Sequence, residues 1–327
     1  MSGNAKTLPR LADKLTSVPR AIARFCRLGP RAFLSLLAAA FDNWNKHNAP
    51  RLGASLTFYT VLSLAPLLIV VLSIASLAYG RRAAEGQLLW QISGTVGERG
   101  AEVIQAVLQS ARRPAAGSVA TVLSVAALLF GAGSAAAELR SALNLIWDVP
   151  SQPSSGIVTG IVNLLRDRFF ALLLVMAAGV LLLGSVFLNT VLATLGEKFQ
   201  DRLPLPEPAL QGIDFALSFL VMTLLFAAIY KFVPDVDITW EDVSVGAAVT
   251  GLLFSLGKYI IAMYLGHSGM ASAYGAAGSL VILLLWIYYS AQVFFFGAEF
   301  TQVYAQRYGS RLHARRRVWQ PDPPPIR

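Results

Sequence analysis

Val243-Ser-Val-Gly-Ala-Ala-Val-Thr-Gly-Leu-Leu-Phe-Ser-Leu-Gly-Lys258-Tyr-Ile-Ile-Ala-Met-Tyr-Leu265 is apolar over the length of a bilayer and carries a single charge, Lys258. A helix needs about 20 predominantly apolar residues to cross the hydrocarbon core, so the stretch predicts a transmembrane helix. A charge at that depth is costly unless it is paired, wetted or led back to the interface, which makes Lys258 the first candidate functional residue. At the helical rise it stands about 22 Å from the start of its helix and about 10 Å from the end. Helical side chains lean toward their own N-terminus, which directs Lys258 to the bilayer centre. Ala247, Gly251, Ser255, Lys258, Ala262 and Gly266 form a row at helical spacing, suited to close packing or a cavity wall. The competing reading is a lipid-facing Lys258 that snorkels to the nearer interface.

Working outward, five further segments reach the same length: about 54–79, 118–139, 169–193, 214–233 and 276–300. The fold class expected is therefore an all-α membrane protein with six transmembrane helices. Composition agrees. Charged residues are 14% of the chain, against roughly a quarter in soluble domains, and the mean hydropathy is +0.58. The lone cysteine, Cys26, excludes an intramolecular disulfide framework. The net charge of +9 is placed at the ends: residues 1–53 hold nine Lys or Arg, and the tail after the last span holds six. Basic flanks mark the cytoplasmic side and meet anionic lipid headgroups. The chain thus reads as having both termini in the cytoplasm, with membrane lipids as partners and no specific nucleic acid.

Two further stretches read as membrane-associated without crossing. Residues 31–46 place Leu34, Leu37, Ala38, Phe41 and Trp44 on one helical face, as in an interfacial helix or an amphipathic helix packed on protein. Residues 81–113 alternate apolar and polar positions around Gly94 and Gly97 and predict a short helical hairpin in the first outer loop. The organisation expected is a basic N-terminus over 1–30, a membrane domain over 31–305 and a basic, Pro-rich, disordered tail over 306–327. Pro66, inside the first span, predicts a kink or local unwinding.

At this point several motifs come together. Arg51-Leu-Gly-Ala-Ser-Leu-Thr-Phe-Tyr59 with the following Leu-Ser-Leu-Ala-Pro66-Leu, Ala142-Leu-Asn144-Leu-Ile-Trp147, Tyr274-Gly275-Ala-Ala-Gly-Ser279, Leu285-Trp-Ile-Tyr-Tyr-Ser-Ala291 and Gly297-Ala-Glu299-Phe resemble the YihY/BrkB family of bacterial inner-membrane proteins in order and spacing over about residues 30–305. The resemblance implies six spans, an inner-membrane location and a role proposed variously as envelope integrity, serum resistance or export of a lipid or solute. The family's old label, ribonuclease BN, is not transferred.

The residues that could carry chemistry follow. Glu138 lies near the inner end of span two, and Glu299 at the inner end of span six on a row with Tyr289, Gln292 and Phe296. Arg51 opens span one at the same level, so an acid–base cluster of Arg51 with Glu138 or Glu299 is expected, with structural salt bridges as the plain alternative. Glu138 lies about 9 Å from the level of Lys258 by helix rise, which disfavours that pair. Backbone carbonyls near Pro66, tyrosine hydroxyls or a bound anionic headgroup are the better partners for the lysine. The glycines of Tyr274–Ser279 would expose amides at a helix start, suited to close packing or to an anion. Asn144 and Tyr59 enter through the family motifs.

The three histidines, His47, His267 and His313, sit on separate segments and make no metal site at ligand spacing. Asp235, Asp237, Glu241 and Asp242 read as a solvated loop capping the fifth span. With no nucleophile, phosphate or dinucleotide motif, neither an enzyme nor a cofactor is expected. The function expected is a transporter or exporter of an envelope-related lipid or anionic solute. The alternatives are a non-transporting membrane scaffold and, least favoured, a membrane-bound ribonuclease. The small-residue faces would serve a homo-oligomer as readily as an internal interface.

Overall fold

The computed structural model describes residues 25, 27–80, 85–86, 88–89, 93, 98–111, 134–149, 207–267 and 277–309. Seven helices of length stand among them: α1 (Pro30–Lys46), α2 (Ala49–Tyr79), α3 (Glu98–Ala111), α4 (134–146), α5 (Glu207–Phe232), α6 (Trp240–His267) and α7 (Gly278–Arg307). No strand occurs among the described residues. Four of them, α2, α5, α6 and α7, coincide with the stretches expected at 54–79, 214–233, 243–265 and 276–300. The stretch 118–139 is represented only by the start of α4, and 169–193 lies outside the described residues. Among the described residues one helix, Leu280–Arg307, is long and apolar enough to cross a membrane by length and composition.

α7 is the hub. It packs against α6, α2, α1 and α3, while α5 packs mainly on α6 and reaches α7 through Phe226 and Tyr230 against Phe294. Its second half is buried almost without interruption, with Phe295, Ala298, Glu299, Phe300, Thr301 and Ala305 fully inaccessible. The main core joins Phe226 and Tyr230 of α5, Val243, Ala247 and Phe254 of α6, Phe294 and Phe295 of α7, and Leu143, Ile146 and Trp147 at the end of α4.

α6 and α7 run antiparallel with side chains of one lying over glycines of the other. A Cβ at Gly246 would overlap Thr301, one at Gly297 would overlap Thr250, and one at Gly257 would overlap the Tyr289 hydroxyl. The row through Ala247 and Gly251, expected to serve close packing or a cavity wall, meets α5, where Gly251 lies against Thr223 and Phe219. α6 therefore has two small-residue faces, one for each neighbour, which let the helices approach closely. Gly246→Ala should cost about 1–3 kcal/mol by overpacking. Adding Thr301→Ala should recover only part of that loss in a double-mutant cycle, since the Thr301 Cβ itself stands 2.6 Å from the added atom; the readout is denaturant unfolding of the purified chain in detergent.

α1 begins at Pro30, which occupies the first turn where no backbone N–H is lost. It packs on α7 through Leu36 and Ala40, against Phe300, Val303 and Tyr304. Of the face expected to be apolar, Leu37 and Trp44 are half-buried, while Leu34 and Phe41 stay 62% and 55% exposed. The helix thus uses one edge against protein and leaves an adjacent apolar edge open. Of the expected hairpin, the second arm is α3. It joins Leu88 and Leu89 in a small core with Leu64, Leu68 and Leu72 of α2 and Leu283 of α7. α2 runs without a break through Pro66, so the unwinding expected there is not present. A proline removes one helical hydrogen bond, which local adjustment can absorb in a membrane helix.

Candidate functional site

The site is built where two chain reversals meet α7. α1 ends at Lys46 and α2 starts at Ala49, so His47 and Asn48 make the whole connection. Asn48 has φ 53°, the left-handed conformation that asparagine tolerates better than most residues. Pro50, in the first turn of α2, has no N–H to leave unsatisfied. The second reversal closes α4. Asp148 N–H donates to Leu145 O at 3.1 Å and Val149 N–H to Asn144 O at 2.9 Å, and Asp148 has φ 50°. This is the Schellman arrangement, with an aspartate where glycine is usual.

Together these turns place His47 and Asp148 beside α7. His47 Nδ1 lies 2.7 Å from Oε1 of Glu299, whose side chain is 0% exposed. On the other edge of the ring, His47 Nε2 is 3.8 Å from Asp148 Oδ1, and that carboxylate is 70% exposed. One turn further along α7, Gln302 is buried and donates to Asp148 Oδ2 at 3.3 Å. It also accepts from Asn43 Nδ2 of α1 at 3.2 Å. Oε2 of Glu299 is buried without a hydrogen-bond partner among the described residues. A carboxylate so enclosed is tolerable because the imidazole shares its proton or its charge.

Nearer the middle of α7, Gln292 donates weakly from Nε2 to Ala49 O at 3.5 Å, while its Oε1 is buried and unpartnered among the described residues. It forms part of the wall of a groove of about 270 Å³ between α1, α6 and α7, whose other walls include Phe41, Trp44, Leu253, Leu256 and Ile260. Trp44 Nε1 is likewise unpartnered among the described residues. The groove is thus lined almost wholly by apolar surface, and the Trp44 Nε1 and Gln292 Oε1 atoms are themselves buried.

Two other polar clusters are structural in form. Tyr230 donates to Phe294 O at 2.7 Å and lies 3.1 Å from Thr250 Oγ1, tying α5, α6 and α7 together. Asp235, between α5 and α6, is gripped by Arg140 in a two-point ion pair and by Asn144. The asparagine donates from Nδ2 at 2.9 Å and accepts from the Asp235 N–H at 2.8 Å. Asn144 is therefore a clamp between α4 and the α5–α6 turn.

The acid–base cluster expected for Arg51 is corrected: the partner of Glu299 is His47, and Arg51 is exposed. The short His47–Asn48 connection brings residue 47, rather than residue 51, against α7. Glu138 is half-buried on α4 and, among the described residues, forms no ion pair with Arg51. Tyr59 is half-buried on α2, stacked edge-on with Phe58 and accepting Ser63 Oγ–H at its carbonyl. Asp235 is not the solvated helix cap expected of its loop. Asp242 is buried rather than solvated: it accepts from Thr239 Oγ1 at 2.8 Å, and Thr239 caps the helix by accepting the Asp242 N–H at 3.4 Å. Lys258 lies on α6; its side chain, the side chain of Pro66, and Tyr274 and Gly275 lie outside the described residues. His47 and Asp148 were missed because nothing in the local sequence links them to position 299. The Asn-Ala-Pro of 48–50, a helix stop followed by a helix start, is the signal that could have located the turn.

Comparison with known proteins bears on the whole of this arrangement. The sequence model of the family described as Virulence factor BrkB matches residues 40–321. Among similar proteins is the UPF0761 membrane protein MS0032 of Mannheimia succiniciproducens, 26% identical over 82% of this chain and 88% of the relative. The UPF0761 membrane protein PSPA7_4558 of Pseudomonas paraeruginosa is 28% identical over 84% of this chain and 62% of the relative. A UPF0761 membrane protein of Verminephrobacter eiseniae is 29% identical over 76% of this chain and 57% of the relative. The chain thus spans most of the first of these and about three-fifths of the other two. No solved structure matches. An all-helical architecture around an apolar hub, matched to this family model over most of its length, identifies the chain as a membrane protein that belongs to the BrkB family.

Proposed function

We propose that this chain is a multi-pass protein of the bacterial inner membrane, with six spans and both termini in the cytoplasm, that moves an envelope-related lipid or anionic solute. Membership of the BrkB family supports the membrane setting, and the four long helices at expected positions support several crossings. The basic termini support the orientation. The observation that carries the transport reading is the groove between α1, α6 and α7. Its lining of Phe41, Leu253, Leu256 and Ile260, apolar almost throughout, suits an acyl chain. Lys258, on the same helix as three of those apolar residues, is the cation proposed for an anionic head.

The test is reconstitution of the full chain into liposomes of phosphatidylethanolamine and phosphatidylglycerol containing a fluorescent phosphatidylglycerol. Movement is scored by the fraction of label that an impermeant quencher reaches. The unaltered chain should accelerate exchange between leaflets, and Leu256→Trp, which fills the groove from an exposed wall position, should reduce the rate on the order of tenfold. No acceleration by folded protein would leave the scaffold reading, in which the glycine seams and the Asn144 clamp are the purpose of the fold rather than its support.

A further inference from the structure

We propose that Asp148, His47 and Glu299 form a proton path from the surface to a buried acceptor on α7. The three groups lie in line by exposure as well as by position. The Asp148 carboxylate is 70% exposed, the His47 ring 18%, and the Glu299 carboxylate 0%. An imidazole between two carboxylates is the side chain best suited to relay, since it can accept on one nitrogen while releasing from the other. The 2.7 Å contact on the Glu299 side is a formed hydrogen bond. The 3.8 Å gap on the Asp148 side lies at the wet end, where one water or a small rotation closes it.

The transfer balances with one proton. Before it, Asp148 is protonated, His47 carries its hydrogen on Nδ1 and donates to ionised Glu299. Asp148 passes its proton to Nε2 as the Nδ1 hydrogen moves to Oε1. Afterwards Asp148 is ionised, His47 carries its hydrogen on Nε2, and Glu299 donates to Nδ1. The bond between the ring and Glu299 survives with its direction reversed, and reversing both transfers restores the start.

The surroundings leave the path to these three groups. From α1, Lys46 is exposed and paired with Asp42 at 2.6 Å. From α2, Arg51 is exposed. From α6, Asp242 is engaged by Thr239, and from α5 the Tyr230 hydroxyl is directed to Phe294 O. Gln302, which donates to Asp148, and Asn43, which donates to Gln302, do not titrate. For its purpose, supplying a driving ion, the path rests on the transport reading; its existence does not.

The experiment uses the full chain in lipid nanodiscs of phosphatidylethanolamine and phosphatidylglycerol. It follows the infrared band of a protonated carboxylic acid and the nitrogen NMR of labelled histidine between about pH 5 and pH 8. The chain has three histidines, so His47→Gln assigns the signal. The expected result is an acid band that titrates together with the tautomer change of His47. Both should vanish in Glu299→Gln, which keeps the side-chain shape. Asp148→Asn should leave the band in place but slow its hydrogen–deuterium exchange on the order of a hundredfold. Asparagine suits the left-handed backbone at 148, so this variant keeps the turn. A His47 tautomer change that persists in Glu299→Gln, or exchange as fast in Asp148→Asn as in the unaltered chain, overturns the path. Lipid movement without these signatures sinks the path alone, and the signatures without lipid movement sink the transport reading alone.

Discussion

His47→Leu should destabilise the protein by about 3 kcal/mol, the upper end of the cost of leaving a buried polar group without its partner. Leucine fills the space of the imidazole tolerably well, and the lost ring was itself only slightly exposed, so little of the penalty comes from volume. It comes from Glu299, which is fully enclosed and has no second donor among the described residues. Adding Glu299→Gln should therefore recover most of the loss, because an amide at that position carries no charge to strand. Unfolding midpoints of the two single variants and the double variant, taken in one detergent, give the coupling directly. A double variant as unstable as His47→Leu would assign the effect to packing and remove the pair from the centre of the fold.

Phe295→Ala should cost at least as much, about 3–5 kcal/mol, for a different reason. Phe295 has no exposure and lies edge-on to Phe294 at 5.5 Å. Truncation opens a cavity where the end of α4 and α6 converge on α7. Lipid offers no compensation, since the void is walled by protein and its lining loses dispersion contacts outright. Leu34→Ala, at a side chain that stays 62% exposed, is the matched control and should stay within about 0.5 kcal/mol. Thermal unfolding of the purified variants separates them; equal losses would mean that α7 is not the element on which the others rest.

The sequence made some of this legible and hid the rest for physical reasons. Hydropathy located α2, α5, α6 and α7 because a membrane-length apolar run is a one-dimensional signal. Glu299 stood out as an acid at the end of such a run. Its partner did not, because His47 lies 252 positions away and reaches α7 only through a two-residue turn held by Asn48 and Pro50. Asp148 was obscure for the same reason: its place depends on an aspartate taking a backbone conformation usually left to glycine. The packing of α6 was half-read. Its Ala247–Gly251 row was visible at helical spacing, but periodicity cannot say which neighbour a row faces. It also cannot show that Gly246 and Gly257 serve a second neighbour through Thr301 and Tyr289. Asn144, met as part of a motif, turned out to fasten Asp235.

The position of the hub along the chain has a consequence for biogenesis. α7 is the last of the described helices to leave the ribosome, yet α1, α2, α3 and α6 all take it as their common neighbour. Until it arrives, Leu36, Ala40 and the glycine face of α6 have nothing to close on, and His47 has no acid to meet. On the multi-pass reading proposed above, the earlier helices wait in the bilayer as a loose set and assemble around the final one after synthesis, since contacts so distant in sequence form late. A ribosome stalled before residue 278 would leave a chain inserted but unassembled, the kind of substrate that membrane quality control recognises.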